Sequence, residues 1–169
     1  MTNHIYTQYI KFPKTEMILG SHNDQICICD FRYRKMRTAI DKRIQNALNA
    51  DFIDQNNDIL ELTKIQLTEY FAGQRTHFSL PLLTIGTEFQ KKVWRYLQKI
   101  TYSTTASYLE LANKTGNENA VRAVANANGA NALAIIIPCH RVIASDGSLG
   151  GYAGGVPLKR YLLNLEKDT

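Results

Sequence analysis

A chain of 169 residues, 44% apolar and 21% charged, suits one ordinary domain or two small ones, and its composition excludes disordered and fibrous classes. The net charge of +5 is uneven: residues 1–83 carry ten Lys/Arg against nine Asp/Glu, residues 84–169 ten against six. Positive charge gathered in the second half favours a polyanionic partner such as nucleic acid, although many cytosolic enzymes of similar pI bind none.

The start, Met1-Thr2-Asn3-His4-Ile5-Tyr6, lacks the basic-then-apolar layout of a secretion signal. The longest apolar run, Ala132 to Ile137, is too short to cross a bilayer, so the expected setting is the cytoplasm, on the nucleoid if the source is bacterial, with no membrane partner. A reducing cytosol keeps the three cysteines as thiols.

Residues 5–31 read as strands, with Ile18-Leu19 and Ile26 to Cys29 flanking a turn at His22-Asn23-Asp24. Ala39, Ile40, Arg43, Ile44, Ala47 and Leu48 follow helical spacing. A second helix is predicted from Asp58, taken as its N-cap with Glu61 three residues on, to Gly73. Phe78 to Gly86, bracketed by proline and glycine, reads as an extended connector. This places a boundary near residue 84, giving domains 1–83 and 84–169.

In Thr87-Glu88-Phe89-Gln90 the Thr87 hydroxyl and the Gln90 amide can each satisfy a free backbone N–H, so a helix is predicted to Ile100, burying Phe89, Val93, Leu97 and Ile100. Ser107-Tyr108-Leu109-Glu110 repeats the signal for a short helix ending at Gly116. Asn117 caps another running to Asn128. Two short helices around a glycine turn form a helix-turn-helix candidate. Ala120, Ala123 and Ala127 give the second helix a methyl face beside Asn119, Arg122 and Asn126. That face either lies near a DNA backbone or minor groove without sequence choice, or packs on the protein's own core.

Ala132 to Ile137 is predicted as a buried strand that Pro138 ends by removing a donor. Cys139 follows it, with His140 and Arg141 supplying a positive field that favours thiolate over thiol. Neighbouring side chains of an extended segment point apart, so a bend or a water is needed for His140 to reach Cys139. Cys27-Ile28-Cys29 with His4, His22 or His77 lacks the usual zinc-ligand spacing, and buried thiols with no metal are expected there.

Pro138-Cys139-His140-Arg141-Val142, with Arg122-Ala123-Val124 and Gly151-Tyr152-Ala153-Gly154-Gly155, resembles the methylated-DNA–protein-cysteine methyltransferases, the O6-alkylguanine-DNA alkyltransferases. The resemblance spans 84–169 and includes Gly86 to Gln90, Val93-Trp94, Ser107-Tyr108, Asn128-Gly129, Asn131, Gly147 to Leu149, and Lys159 through Leu162-Leu163 to Glu166. Before residue 84 it rests on Tyr70 to Gly73 and on the order of strands and helices. The fold it implies is α+β, a small ribonuclease-H-like α/β domain followed by a winged helix-turn-helix-like domain carrying the active site.

By the same resemblance Cys139 is the nucleophile and acceptor that takes an alkyl group from O6 of guanine. His140 takes the thiol proton through a water, and Glu166 orients His140. Tyr108 assists guanine departure and crowds the DNA backbone. Arg122 fills the gap left by the flipped nucleotide. Gln90, Asn117 and Ser145 match contacts to the DNA backbone, Ala123 and Ala127 lie on the helix that approaches DNA, Asn131 braces the turn before the active site, and Pro138 and Arg141 support it. No cofactor is implied. The partner is double-stranded DNA with alkylated bases, bound without sequence preference through the minor groove by a monomer, with cooperative binding left open.

The chain departs from the family at Thr101 and Ser103, where proline and glycine are common, at Ala125 for a glycine, at Ala132 for a proline and at Ala153 for a hydroxyl residue. Rival readings are a lesion-sensing relative without transfer, which Cys139 argues against; a helix-turn-helix regulator with a structural cysteine; and a cysteine hydrolase drawing a base such as His77. Alkyl size and guanine O6 against thymine O4 stay open.

Overall fold

The computed structural model describes residues 3–169, so Met1 and Thr2 of the predicted start lie outside the described residues. The chain divides into two compact units, Met1–Ile85 and Gly86–Thr169. No helix among the described residues is long and apolar enough to cross a membrane.

In the first unit β1 (His4–Phe12), β2 (Thr15–His22) and β3 (Gln25–Phe31) form an antiparallel meander. Asn23 and Asp24 both adopt positive φ in the two-residue turn between β2 and β3, a conformation these residue types tolerate. The chain then crosses through α1 (Arg37–Leu48) to β4 (Asp51–Asp54), which pairs parallel to β1, giving the order β3-β2-β1-β4. β4 escapes sequence reading because only Phe52 and Ile53 of its four residues are apolar. α2 (Asp58–Phe71) follows, and its cap is Asn57 rather than the predicted Asp58: the Asn57 carboxamide oxygen accepts from Leu60 N–H. Asp58 instead sits in the first turn, where its charge complements the helix dipole. Ile5, Met17, Leu19, Ile26, Ile28, Ile44, Leu60, Leu67 and Tyr70 are buried. The predicted connector is extended, and it joins the sheet edge: Ile26 N–H donates to Pro81 C=O and Leu83 N–H to Ile26 C=O, both at 2.8 Å.

In the second unit α3 (Glu88–Leu97) starts with the expected reciprocal cap, Gln90 N–H to Thr87 Oγ1 and Thr87 N–H to Gln90 Oε1. Val93, Trp94 and Leu97 are buried, while Phe89 and Ile100 are half-buried. β5 (Ala106–Ser107) leads into α4 (Tyr108–Lys114), capped by the Ser107 hydroxyl. Gly116 turns the chain at φ +92°, and Asn117 caps a single 3₁₀ turn, Glu118–Ala120, that runs into α5 (Val121–Gly129). Helix-turn-helix is therefore the arrangement of α4 and α5. β6 (Val142–Ile143) pairs parallel with β5, and α6 (Val156–Lys167) closes the unit.

Candidate active site

The buried run before Cys139 is not the predicted strand. Ile137 N–H bonds to Leu133 C=O and Ile136 N–H to Ala134 C=O, so the segment folds back on itself around Ile135, whose φ is +72°. A β-branched residue in that region costs about 1–2 kcal/mol. Six apolar residues in a row are compatible with any buried backbone, which is why the pattern misleads. Asn131 holds the turn shut: its Nδ2 donates to Ile137 C=O at 2.9 Å and its Oδ1 accepts from Leu133 N–H at 3.0 Å. Pro138 centres a second, inverse γ-turn (φ −79°, ψ 65°), across which Cys139 N–H reaches Ile137 C=O at 2.8 Å.

Cys139 thus opens a 3₁₀ turn, Cys139–Arg141, rather than leaving a strand, and this supplies the bend that an extended segment lacks. All three side chains are buried. Glu166 of α6 is the hub beneath them. It accepts from His140 Nε2 at 2.6 Å, from Arg141 Nε at 2.8 Å and Nη2 at 3.1 Å, and from Ser103 N–H at 3.2 Å. Arg141 Nη1 continues to Ile100 C=O. With the Nε2–H given to a carboxylate, the lone pair lies on Nδ1, which is buried and bonded to no described protein group. Burial lowers the His140 pKa, against the raising influence of Glu166, so the ring is neutral at neutral pH.

Seven residues earlier on the same face of α6, Lys159 is fully buried. Its Nζ donates to the carbonyls of Val142 (2.6 Å), Leu149 (2.5 Å) and Gly151 (3.3 Å), stapling the loop after the 3₁₀ turn. Burial brings its pKa down to about 8, while the neighbouring Cys139 sulfur, when charged, favours the ammonium. Tyr108, half-buried at the start of α4, has its pKa raised by burial and by Cys139, and its ring lies 5.8 Å from Lys159 Nζ. A Cβ at Gly150, where φ is +72°, would come within 3.3 Å of the Tyr108 hydroxyl, so glycine there lets the loop pass close to it.

Cys139, His140, Arg141, Pro138, Asn131, Glu166 and Tyr108 are therefore brought together. Arg122, Ala123, Asn117 and Ser145 are exposed, and Arg122 makes no ion pair among the described residues. Gln90 is committed to the cap of α3. Ala127 is a correction: only 2% exposed, it faces inward, and its carbonyl accepts the Trp94 Nε1–H at 2.9 Å, so its methyl is not on offer to DNA. The methyl stripe divides, with Ala123 outward and Ala127 in the core.

Three contributors were not identified as site residues from sequence. Asn128 bonds the Cys139 carbonyl through Nδ2, Lys159 carries the loop, and Ser103, at φ +66°, offers its N–H to Glu166 where the family commonly has glycine nearby. An isolated lysine in an amphipathic helix looks solvated, and only its i, i+7 spacing from Glu166 gives a hint. Cys27 and Cys29 are buried in β3, and among the described residues no three His, Cys, Asp or Glu side chains are grouped to hold a metal.

Residues 88–168 match the 6-O-methylguanine DNA methyltransferase DNA binding domain, and residues 5–84 match the ribonuclease-like domain of the same proteins. A methylated-DNA–protein-cysteine methyltransferase of Methanosarcina barkeri is 41% identical over 165 residues, 98% of this chain and 99% of that protein. The chain belongs to the methylated-DNA–protein-cysteine methyltransferase family. A methyltransferase of the same name from Mycobacterium bovis is 53% identical over 61% of this chain and 62% of its own length. The crystal structure of Mycobacterium tuberculosis OGT in complex with DNA superposes with a TM-score of 0.82 at 37% identity, covering 96% of this chain and 93% of that one. The α+β fold expected of a methyltransferase of this family, ribonuclease-like first and DNA-binding second, is the one found.

Proposed function

We propose that this protein repairs DNA by moving an alkyl group directly from O6 of guanine, and from O4 of thymine where that base is accepted, onto the sulfur of Cys139. The observation that carries this reading is the 2.6 Å contact from His140 Nε2 to Glu166, which leaves Nδ1 as an acceptor on the residue beside the cysteine.

The thiol proton passes to His140 Nδ1 through a water, and the resulting imidazolium is balanced by Glu166. The sulfur attacks the alkyl carbon, an S–C bond forms, and the C–O6 bond breaks with its electron pair leaving on the guanine. Tyr108, whose raised pKa keeps its proton in place at neutral pH, donates to the departing base. The product thioether has no hydrolytic way back, so each molecule acts once and needs no cofactor.

O6 cannot be reached inside a stacked pair, so the base is flipped at a cost of a few kcal/mol, roughly, which a side chain filling the gap offsets. Arg122, exposed on α5, is placed for that role. Ala123, Asn117 and Ser145 offer small or polar groups to the backbone around it, and the cap of α3 at Gln90 offers a helix N-terminus to a phosphate. The outward Ala123 of α5 offers no hydrogen bond to a base edge, in keeping with minor-groove binding of duplex DNA without sequence choice by a monomer, within residues 84–169, in the cytoplasm.

The test is intact-protein mass after mixing with equimolar duplex carrying one O6-methylguanine. The native protein gains one methyl and stops, and Cys139→Ala gains none. Tight lesion binding without a mass gain would make the protein a sensor or regulator instead.

A further inference from the structure

We infer that the outer face of α3 is a second phosphate-binding surface, for the duplex flanking the lesion; this rests on the DNA-repair reading above. Lys92, Arg95 and Tyr96 fall at i, i+3 and i+4 on one side of α3, opposite the buried Val93, Trp94 and Leu97, and Lys99 follows just past the C-cap Gln98, its N–H donating to Tyr96 C=O. With Gln98 they line a concavity of about 540 Å³. Arg95 and Lys99 are exposed, and none of the three cations pairs with a carboxylate among the described residues. Lys99 Nζ lies 5.7 Å from the Tyr96 ring, so an aromatic ring and cations line the concavity together.

Elsewhere the arginines of the fold are mostly neutralised. Arg32, Arg34, Arg37 and Arg75 of the first unit each hold a carboxylate, as does Arg141. Cations crowded at helical spacing without counter-charge repel one another, and a phosphate backbone relieves that repulsion while releasing its own counterions.

Position selects DNA as the occupant. Lys92 Nζ donates to the carbonyl of Thr115, the C-cap of α4, at 3.1 Å. Thr115 leads through Gly116 to Asn117 and then to α5 with Arg122, so the cationic face adjoins the turn of the helix-turn-helix. A duplex seated on that turn carries its flanking phosphates onto α3.

The experiment measures binding against salt concentration on two lesion duplexes, one ending at the helix-turn-helix footprint and one extended by at least a helical turn on each side. Three proteins are compared: native, Arg95→Gln with Lys99→Gln, and a charge-matched control, Lys35→Gln with Lys42→Gln, both exposed in the first unit. The α3 variant flattens the slope of log K against log salt on the long duplex by about 2, at about 0.9 per phosphate contact, and Lys99→Gln alone by about 1. On the short duplex its slope and its alkyl-transfer rate match the native values. A native slope on the long duplex, equal flattening by the control, or equal flattening on both duplexes overturns the inference. Failure of the native protein to gain a methyl on the short duplex overturns the repair reading instead, whatever the slopes.

Discussion

Each half of the molecule buries one carboxylate against arginine, and the two clusters do different things. Asp30, at the end of β3, holds Arg34 at 3.2 Å and Arg37 at 3.0 Å, and Arg37 goes on to Asp41. Its pKa is raised because burial outweighs both arginines. Glu166 holds Arg141 through both of its oxygens, and its Oε2 also takes His140, whose other nitrogen is open and whose neighbour is a cysteine. A shifted carboxylate alone does not mark a site. What separates the clusters is an imidazole with one nitrogen unpaired among the described residues, beside a cysteine.

The thiols repeat the contrast. Burial in β3 pushes Cys27 up to about 12 and Cys29 higher still, next to the Asp30 charge. Both stay protonated and inert. Cys139 is as buried but sits at the end of a γ-turn, with the Lys159 ammonium near enough to interact with a charge on its sulfur.

The sharpest way to break this comparison is to neutralise each hub. Glu166→Gln strands Arg141 and His140 and lowers stability by about 3–5 kcal/mol by denaturant melts. Its single-turnover transfer rate falls on the order of 100-fold or more, because the base loses its orienting anion. Asp30→Asn lowers stability by about 1–3 kcal/mol and leaves the transfer rate of folded molecules at the native value. A rate loss as deep as that of Glu166→Gln would put Asp30 in the machinery.

Asn131→Ala removes two buried hydrogen bonds and lets the strained turn at Ile135 relax, costing about 2 kcal/mol together with a partial loss of transfer. Thermal melts beside single-turnover rates separate the two effects.

The pH profile is a milder probe. The His140 pKa lies below its ordinary 6.5, so the folded protein declines a proton that the unfolded chain accepts. Stability therefore begins to fall as pH drops through 6.5 and goes on falling toward the folded value. The acid limb of the transfer rate, set by neutral imidazole, has its midpoint below 6.5. A midpoint above 6.5 would mean that Glu166 outweighs burial.

Smallest is Gln90→Ala, which removes half of a capping box and costs about 0.5–1 kcal/mol.

What was legible in the sequence was what is local or strongly patterned. Thr87 with Gln90, Ser107 and Asn117 announce caps because a cap is settled within three residues. The cluster around Cys139 was legible through its run of five residues and the distant Glu166. Hidden were decisions taken by the surroundings. Ala127 looks identical to Ala123 until Trp94 needs an acceptor, and Ala132 to Ile137 looks like a strand until Asn131 bends it. Lys159 looks like a surface lysine until three loop carbonyls surround it. Ser103 and Ile135 adopt positive φ where the residue type argues against it, so no propensity could have found them.

One helix, α6, delivers both Glu166 and Lys159 to the segment around Cys139, and Glu166 comes 26 residues after His140. During synthesis at about 5–20 residues per second, the cysteine is therefore made some seconds before the carboxylate that holds His140 and the ammonium that staples the loop. A nascent chain that has reached Cys139 still lacks both of these contacts. On the mechanism proposed above, its single use is therefore held back until α6 has docked.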